Sequence, residues 1–598
     1  MKKFCLWLLA LSLLLGLSSC AEEEPVGSSV AVENMYPVYI LGKVPFRMSL
    51  NFLNGVNDLP YVEVDDMIYL FNHLFHVYDK KTQLAVSKSG NVVTCARSSE
   101  AYGVDTTMTI DFAADVIRFE DFNIFTMLPC RSTILDLTSL DFFDKEGNPR
   151  LIERVKPKYL PRLGGALEIN LAKYGIDLVV ADGKYLIPLQ TFSDILVAPT
   201  FLNSCYFNGE AVIVAGNMAA SPDPAAPNVD RELYYKGKTG ERSATLAKFG
   251  YNELCLALDT LYGLKDLHGI ESFDQLFQSQ GAVSMSAAKS FAADCSLKAY
   301  LTGSSVFDAD KAIYHLIGDF LDDNHSKWYN FSYLAGEHDG YKPNGASRER
   351  LEAYKKAYAD ARDKAYPSGV PAYQEVGDTA FVTFDAFAIA QEFAQEPDDL
   401  DKYYTTPLDQ LPDKDTMALI MKAHDKITAN PNIKNVVIDL SVNGGGYADA
   451  AVFVAAWFLG ELSISMEYTT TGAMCATSYR CDANRDHLFD QNDTLGDRRL
   501  FCLVSPYSFS CGNLVPNLFK ESEKVTILGK TSGGGACVVQ PISSAWGTSF
   551  RISGPQRLCY IKNGSYYDID RGAEPDYYIA DPETHFDRDA INTIINNL

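Results

Sequence analysis

The chain has 598 residues, more than one hydrophobic core serves, and is expected to form about three or four domains. Hydrophobic residues make up 47% of it and aromatic residues 12%, which excludes a disordered chain. Its 52 basic and 77 acidic side chains leave a formal charge of −25, with no basic patch of the kind that neutralises phosphates, so nucleic acid is excluded as a partner.

Residues 1–20 carry Lys2 and Lys3, an apolar run over 5–17, and then Leu17-Ser18-Ser19-Cys20. This is the layout of a secretory signal, too short for a membrane span. Its end resembles the lipobox of bacterial lipoproteins. That resemblance implies cleavage before Cys20, lipidation of its sulfur, and a membrane held through acyl chains without a transmembrane helix. The location it implies is the outer membrane, periplasmic or surface-exposed. Glu22-Glu23-Glu24 resembles the surface-export signal of some Gram-negative lipoproteins and reads equally well as a solvated tether. The cysteines beyond Cys20 are odd in number and lack C-x-x-C pairs, so they suit neither a zinc site nor a regular disulfide framework; Cys475 and Cys481 could bridge a loop.

Over 21–229, short apolar and aromatic runs alternate with Gly, Asn and Asp turns, and the region is expected to be β-rich. Stretches 59–66 (L-P-Y-V-E-V-D-D) and 185–194 (Y-L-I-P-L-Q-T-F-S-D) each set a proline among strand residues ahead of an amphipathic segment, as two repeated small modules would. The proline-rich 219–228 reads as a linker. Over 230–371 the period turns helical. Ile313, Leu316, Ile317, Phe320 and Leu321 share one face, and that helix runs out at Asp322-Asp323-Asn324, which leaves His325 in a loop, free to project into a cleft. A charged helix follows over 347–365.

From 372 to 598 strands and helices alternate, which predicts an α/β core with parallel pairings. A strand is expected at 379–384, a helix through Met417, Ile420, Met421, His424 and Ile427, and a buried strand at 435–440. His424 lies on the apolar stripe and is expected to be buried. Next come S-V-N-G-G-G at 441–446 and a very apolar helix at 448–459. A glycine turn between strand and helix makes a corner of unshielded N–H groups, suited to a phosphate or an oxyanion. A second strand at 500–504 leads through a polar turn into a helix carrying Leu514, Val515, Leu518 and Phe519, and then a strand at 525–528. A serine at such a turn, Ser510, stands at the sheet's C-terminal edge, where a nucleophile belongs; the plainer alternative makes it only an N-cap.

Four features in order, L-D-D-N-H-S at 321–326, I-D-L-S-V-N-G-G-G at 438–446, S-F-S ending at Ser510 with the glycines of 529–535, and G-A-E-P-D at 572–576, resemble the C-terminal-processing and tricorn-core family of serine peptidases. The resemblance covers about 325–576. It implies a multidomain α/β protein whose C-terminal core is of the C-terminal-processing, crotonase-like type. It also implies hydrolysis of a peptide or protein substrate through an acyl-enzyme, without cofactor or metal. By position it makes Ser510 the nucleophile, and the N–H of Cys511 with that of Gly445 or Gly446 the oxyanion hole.

The later glycine turn has no lysine where one branch of the family keeps its base, whereas His325 matches the histidine of the tricorn-like branch. His325 is therefore expected as general base, with Asp568 or Asp570 as its acidic partner and Lys530 as a fallback base. Ser441 stands where the family keeps an arginine, and Asn513 where it keeps a glutamate. These departures support an alternative, an inactive surface lipoprotein that binds peptides or glycans. Asp482-x-Asn484-x-Asp486 with Asp490 and Asp493 resembles a calcium loop, but His487 replaces the needed glycine, so a solvated acidic loop is the preferred reading.

Overall fold

The structure, a computed structural model, describes residues 30–40, 43–78, 82–99, 104–128, 136–140, 142–159, 165–216, 229–279, 296–336, 346–393, 397–562 and 565–598. The signal-like segment, Cys20 and the linker at 219–228 lie outside the described residues. No helix of the described residues is long and apolar enough to cross a membrane.

The N-terminal region is built on two sheets, one of seven strands and one of five. The two repeat-like stretches do not form separate modules. Each is a short strand followed by a helix, Tyr61–Glu63 before Val64–Tyr78 and Lys184–Pro188 before the helical turns that start at Leu189–Phe192. The two strands pair with each other, Glu63 opposite Leu186 and Tyr61 opposite Pro188. Strands of three and five residues cannot sustain sheets of their own. Their helices share one core, in which the Phe201 ring meets Phe71 and Phe75 at 5.1 and 5.2 Å.

The expected boundaries at 229 and 371 separate stretches of sequence but not sheets. Strand Ile152–Tyr159 pairs with Ala473–Cys481, and Lys327–Asn330 pairs with Ser549–Lys562, so the N-terminal and helical regions each donate a strand to a sheet of the C-terminal core.

The second core sheet has the order Tyr373–Val376, Thr379–Thr383, Asn435–Asp439, Arg499–Val504, Val525–Gly529, Tyr577–Tyr578, parallel after its first pair. Its central strands read as unbroken apolar runs because both faces are covered. Alternation assigns the faces. Val436, Ile438 and Cys502 point toward helices Thr416–Ala429, Ala448–Leu459 and Cys511–Ser522, while Phe381, Val437, Phe501 and Leu503 point toward Ile591 and Ile595 of the C-terminal helix Arg588–Asn597. Helices lie on both faces of a mostly parallel sheet, and the whole is a multidomain α/β protein.

Three local expectations need correction or completion. Helix 306–321 is α-helical over Val306–His315 and widens into a π turn over Leu316–Leu321, ending at Asp322 with φ 40°. Cys475 and Cys481 are both buried on one strand, and six residues of strand put them about 20 Å apart, far beyond disulfide reach of each other. In the acidic loop the carboxylates serve the loop's own amides: Asp482 accepts from the N–H groups of Asp486 and His487, and Asp493 from those of Ala483, Asn484 and Asp490. Among the described residues no group of three His, Cys, Asp or Glu side chains gathers as metal ligands would. His424 is buried, and its Nδ1 accepts from Trp457 Nε1 at 3.1 Å.

Candidate active site

Strands Thr379–Thr383, Asn435–Asp439 and Arg499–Val504 end side by side, and the loop that leaves each one contributes to the site. Beyond Asp439, the glycine corner is shaped by Asn443, whose Oδ1 accepts from Gly445 N–H at 2.9 Å and whose Nδ2 donates to Phe384 O at 3.1 Å. The backbone of 385–387 runs alongside it: Gly444 N–H donates to Asp385 O, Phe387 N–H to Gly445 O, and Tyr447 N–H to Phe387 O.

Gly445 and Gly446 have φ of 103° and 145°, conformations that L side chains rarely adopt. A Cβ on Gly445 would sit 2.7 Å from the Cβ of Ser510. The glycine is thus what lets the corner touch the serine.

The serine turn is fastened to this corner. Ser508 Oγ donates to Leu440 O at 2.7 Å, Ser505 Oγ to Ser441 O at 2.6 Å, and Phe509 N–H to Asn443 O at 3.1 Å. Ser510 itself has φ 57° and ψ −122°, a sparsely populated conformation for a residue other than glycine. Its N–H donates to Gly534 O at 2.9 Å, which helps to hold that conformation. Although Ser510 occupies the N-cap position of helix Cys511–Ser522, its side chain makes no capping hydrogen bond. The plain N-cap reading therefore fails; the half-buried hydroxyl is left for other work.

Cys511 opens the helix, and its N–H is among those that no helical carbonyl can serve. Its Sγ approaches Gly446 O at 3.4 Å, which packs the start of the helix against the glycine corner. Of the two glycines proposed as donor, Gly445 spends its N–H on Asn443, whereas the Gly446 N–H has no carbonyl partner among the described residues. Of the two glycines, Gly446 is thus the one whose N–H is left over. The Cys511 thiol is pushed up to about 12, by burial first and then by Asp449, and stays neutral.

His325 sits in a loop closed by Asp323, whose carboxylate accepts from His325 N–H at 3.0 Å, Ser326 N–H at 2.6 Å and Tyr262 OH at 3.0 Å. Arg551 Nε donates to His325 O at 2.8 Å and pins the loop to the neighbouring sheet. The ring lies edge-on to Phe509, with centroids 4.7 Å apart. Burial, and then the charge of Arg551, pulls its pKa down to about 3, so the imidazole is neutral. Its Nδ1 is buried and has no hydrogen-bond partner among the described residues.

The expected acidic partner is therefore not in place. Asp570 Oδ1 accepts from Gly535 N–H at 2.8 Å and Ala536 N–H at 3.0 Å, and Asp568 Oδ1 accepts from Asp570 N–H at 3.0 Å. Both carboxylates serve backbone amides, and Asp570 thereby holds the glycine turn that receives Ser510 N–H. The fallback base, Lys530, lies where its charge acts on His585.

Asn513, in place of the family's glutamate, ties the serine helix to this turn, with Nδ2 to Ile569 O at 2.9 Å and Oδ1 accepting from Ser532 Oγ at 2.7 Å. Sequence reasoning missed Asn443, Asp323, Phe509 and Arg551. The first two carry a legible signal, an Asx side chain two residues ahead of the amide it caps. Phe509 and Arg551 carry none.

Residues 407–579 match the family model of Peptidase family S41. Among solved structures, the photosystem II D1 C-terminal processing protease is 18% identical over 36% of this chain and 46% of its own, with TM-score 0.25. A lipoprotein from Streptococcus agalactiae is 11% identical over 59% and 96%, with TM-score 0.33, and the tricorn protease 9% identical over 96% and 73%, with TM-score 0.32. The chain thus spans under half the length of the processing protease. No curated protein matches it. The matched residues hold the glycine corner, Ser510 and the Asp570 turn, while His325 lies ahead of them, and over this segment the chain is similar to peptidase family S41.

Proposed function

We propose that this protein hydrolyses peptide bonds through a Ser510 acyl-enzyme, with His325 as general base, while anchored at the outer membrane by lipid on Cys20. The observation that carries the catalytic part is Ser510 itself, held at φ 57° with a hydroxyl that caps nothing, against Gly445 and at the start of the helix whose Cys511 reaches Gly446. In the first step Ser510 Oγ bonds to the substrate carbonyl carbon, its proton passes to the neutral His325 ring, and the oxyanion takes the Gly446 and Cys511 N–H groups. The same proton then leaves on the amine as the C–N bond breaks. Water, deprotonated by His325, releases the acyl group and restores Ser510. The anchor rests on the L-S-S-C sequence alone.

Substrate selection falls to the N-terminal region. Ser139 N–H and Leu140 N–H both donate to the carboxylate of Asp449, at 2.9 and 3.0 Å, at the start of the helix that leaves the glycine corner. This supports 136–140 as one wall of the cleft. The unpartnered Nδ1 of His325 favours a second reading, a peptide-binding protein that does not cleave.

Fluorophosphonate labelling separates the two. Labelling of the wild type that is lost in Ser510→Ala and slowed in His325→Ala is expected; an unlabelled but folded wild type that still binds peptide overturns the enzyme reading. Incorporation of labelled fatty acid, lost in Cys20→Ser, is expected for the anchor, and its absence from the wild type removes that part.

A further inference from the structure

Ser441 brings no cation to the glycine corner, yet a buried carboxylate stands at its root. Asp439, the last residue of strand Asn435–Asp439, is 2% exposed, and its Oδ1 accepts from Ser441 N–H at 3.0 Å. An ionised carboxylate so placed needs an opposite charge. That charge comes from the far end of the chain. Arg588, first residue of the C-terminal helix, donates from Nη2 to Asp439 Oδ2 at 2.7 Å and to Thr383 Oγ1 at 3.0 Å, and from Nη1 to His585 O at 2.9 Å. Its guanidinium lies over the Phe381 ring, 4.7 Å from the centroid.

The same segment reaches the third strand. His585 Nε2 lies 3.3 Å from Val504 O, and Gly529 makes room for it, since a Cβ there would be 2.9 Å from that nitrogen. Thr383, Asp439 and Val504 are the ends from which the 385–387 segment, the glycine corner and the serine turn depart. One short stretch, 585–588, therefore ties together the roots of all three loops.

We infer that Arg588 is a positioning residue of the site, fixing the Gly446 N–H against the Cys511 N–H by holding Asp439 and Thr383 from beneath. It touches no substrate and acts through the corner. The inference rests on the serine-peptidase reading only for its kinetic consequence; the geometric consequence stands apart.

The test uses the full chain, Arg588→Met and Arg588→Lys, with hydrogen exchange and kinetics on each. Because Arg588→Met leaves Asp439 charged and unpaired, the double variant Asp439→Asn/Arg588→Met supplies a folded control without buried charge. Positioning predicts faster exchange confined to 440–447 in Arg588→Met and in the double variant. It predicts a kcat about tenfold or more lower with KM within about twofold, since removal of one oxyanion donor costs about a hundredfold or more. Lysine, restoring the charge without the fork, rescues in part. Unchanged exchange over 440–447 in the folded double variant overturns the inference, whatever the activity. Faster exchange there in the two variants, alongside a wild type that neither labels nor cleaves, overturns the peptidase reading and leaves the inference standing.

Discussion

His325 meets Phe509 edge to face, the ring planes at 63°. The proposed base, supplied by the helical region, is thereby seated against the residue that precedes Ser510. Phe509→Ala removes the wall on which the imidazole rests, and about a tenfold slower fluorophosphonate reaction is expected, with far-UV circular dichroism unchanged. Labelling at the wild-type rate would show that the loop at 323–326 places the ring unaided.

The pH dependence follows from burial. A histidine whose folded pKa is lowered stays neutral where the unfolded ring already takes a proton, so its contribution to stability is complete above about pH 6.5 and is lost as pH falls toward about 3. The acid limb of the labelling rate should accordingly lie well below 6.5. A limb centred near 6.5 would mean an exposed histidine or another base.

Asp570 offers a way to separate support of the turn from support of the base. Its carboxylate holds the amides of Gly535 and Ala536. Asp570→Ala should slow labelling several-fold or more by loosening the turn that receives Ser510 N–H, while the pH profile keeps its shape. A displaced acid limb would instead make Asp570 the electrostatic partner of His325.

Gly445→Ala introduces a methyl 2.7 Å from the Ser510 Cβ at a φ of 103°. Both the contact and the backbone oppose it. Loss of labelling by about a hundredfold or more is expected, together with a lowered melting temperature.

A buried acid pair at the junction of the N-terminal and helical regions should show the opposite pH sign to His325. Asp194 and Glu253 are each 1% exposed, and among the described residues Asp194 Oδ2 and Glu253 Oε1 have no hydrogen-bond partner. Burial raises both, and the charge of Glu253 raises Asp194 further. The folded pair holds a proton that the unfolded acids release above about 4.5, so stability falls as pH rises from there. Glu253→Gln should melt higher than the wild type at pH 8, by about 1–3 kcal/mol in stability, and the gain should vanish near pH 4. Thermal unfolding at the two values decides it.

The unit from Arg499 to Gly529 was legible almost to the residue, and so was helix Ala448–Leu459, because strands buried on both faces and glycines at tight corners leave strong local marks. The glycine corner was legible for the same reason, whereas Ser510 stood out from an ordinary N-cap only through the ordered motifs around it. Partnerships were less so. Nothing local in I-E-R-V-K-P-K-Y announces a strand for the Ala473–Cys481 edge, and nothing near Arg588 announces a buried charge beneath Asp439. The acidic partner failed on the same ground: a carboxylate's distance along the chain from a glycine motif does not say which amide it faces.

The pairing of Ile152–Tyr159 with Ala473–Cys481 also sets an order of events. A ribosome delivers the first strand early, and its partner emerges only after most of the chain has been made. Until then the early strand has an open edge and nothing to close it, so completion is slow and cannot proceed region by region from the N-terminus. The serine turn, the Ser549–Lys562 strand that seats the His325 loop, and the Arg588 anchor all come later still. A partly made chain thus carries its N-terminal sheets long before it carries Ser510, and the loops around Ser510 gain their last tie only when helix Arg588–Asn597 has docked.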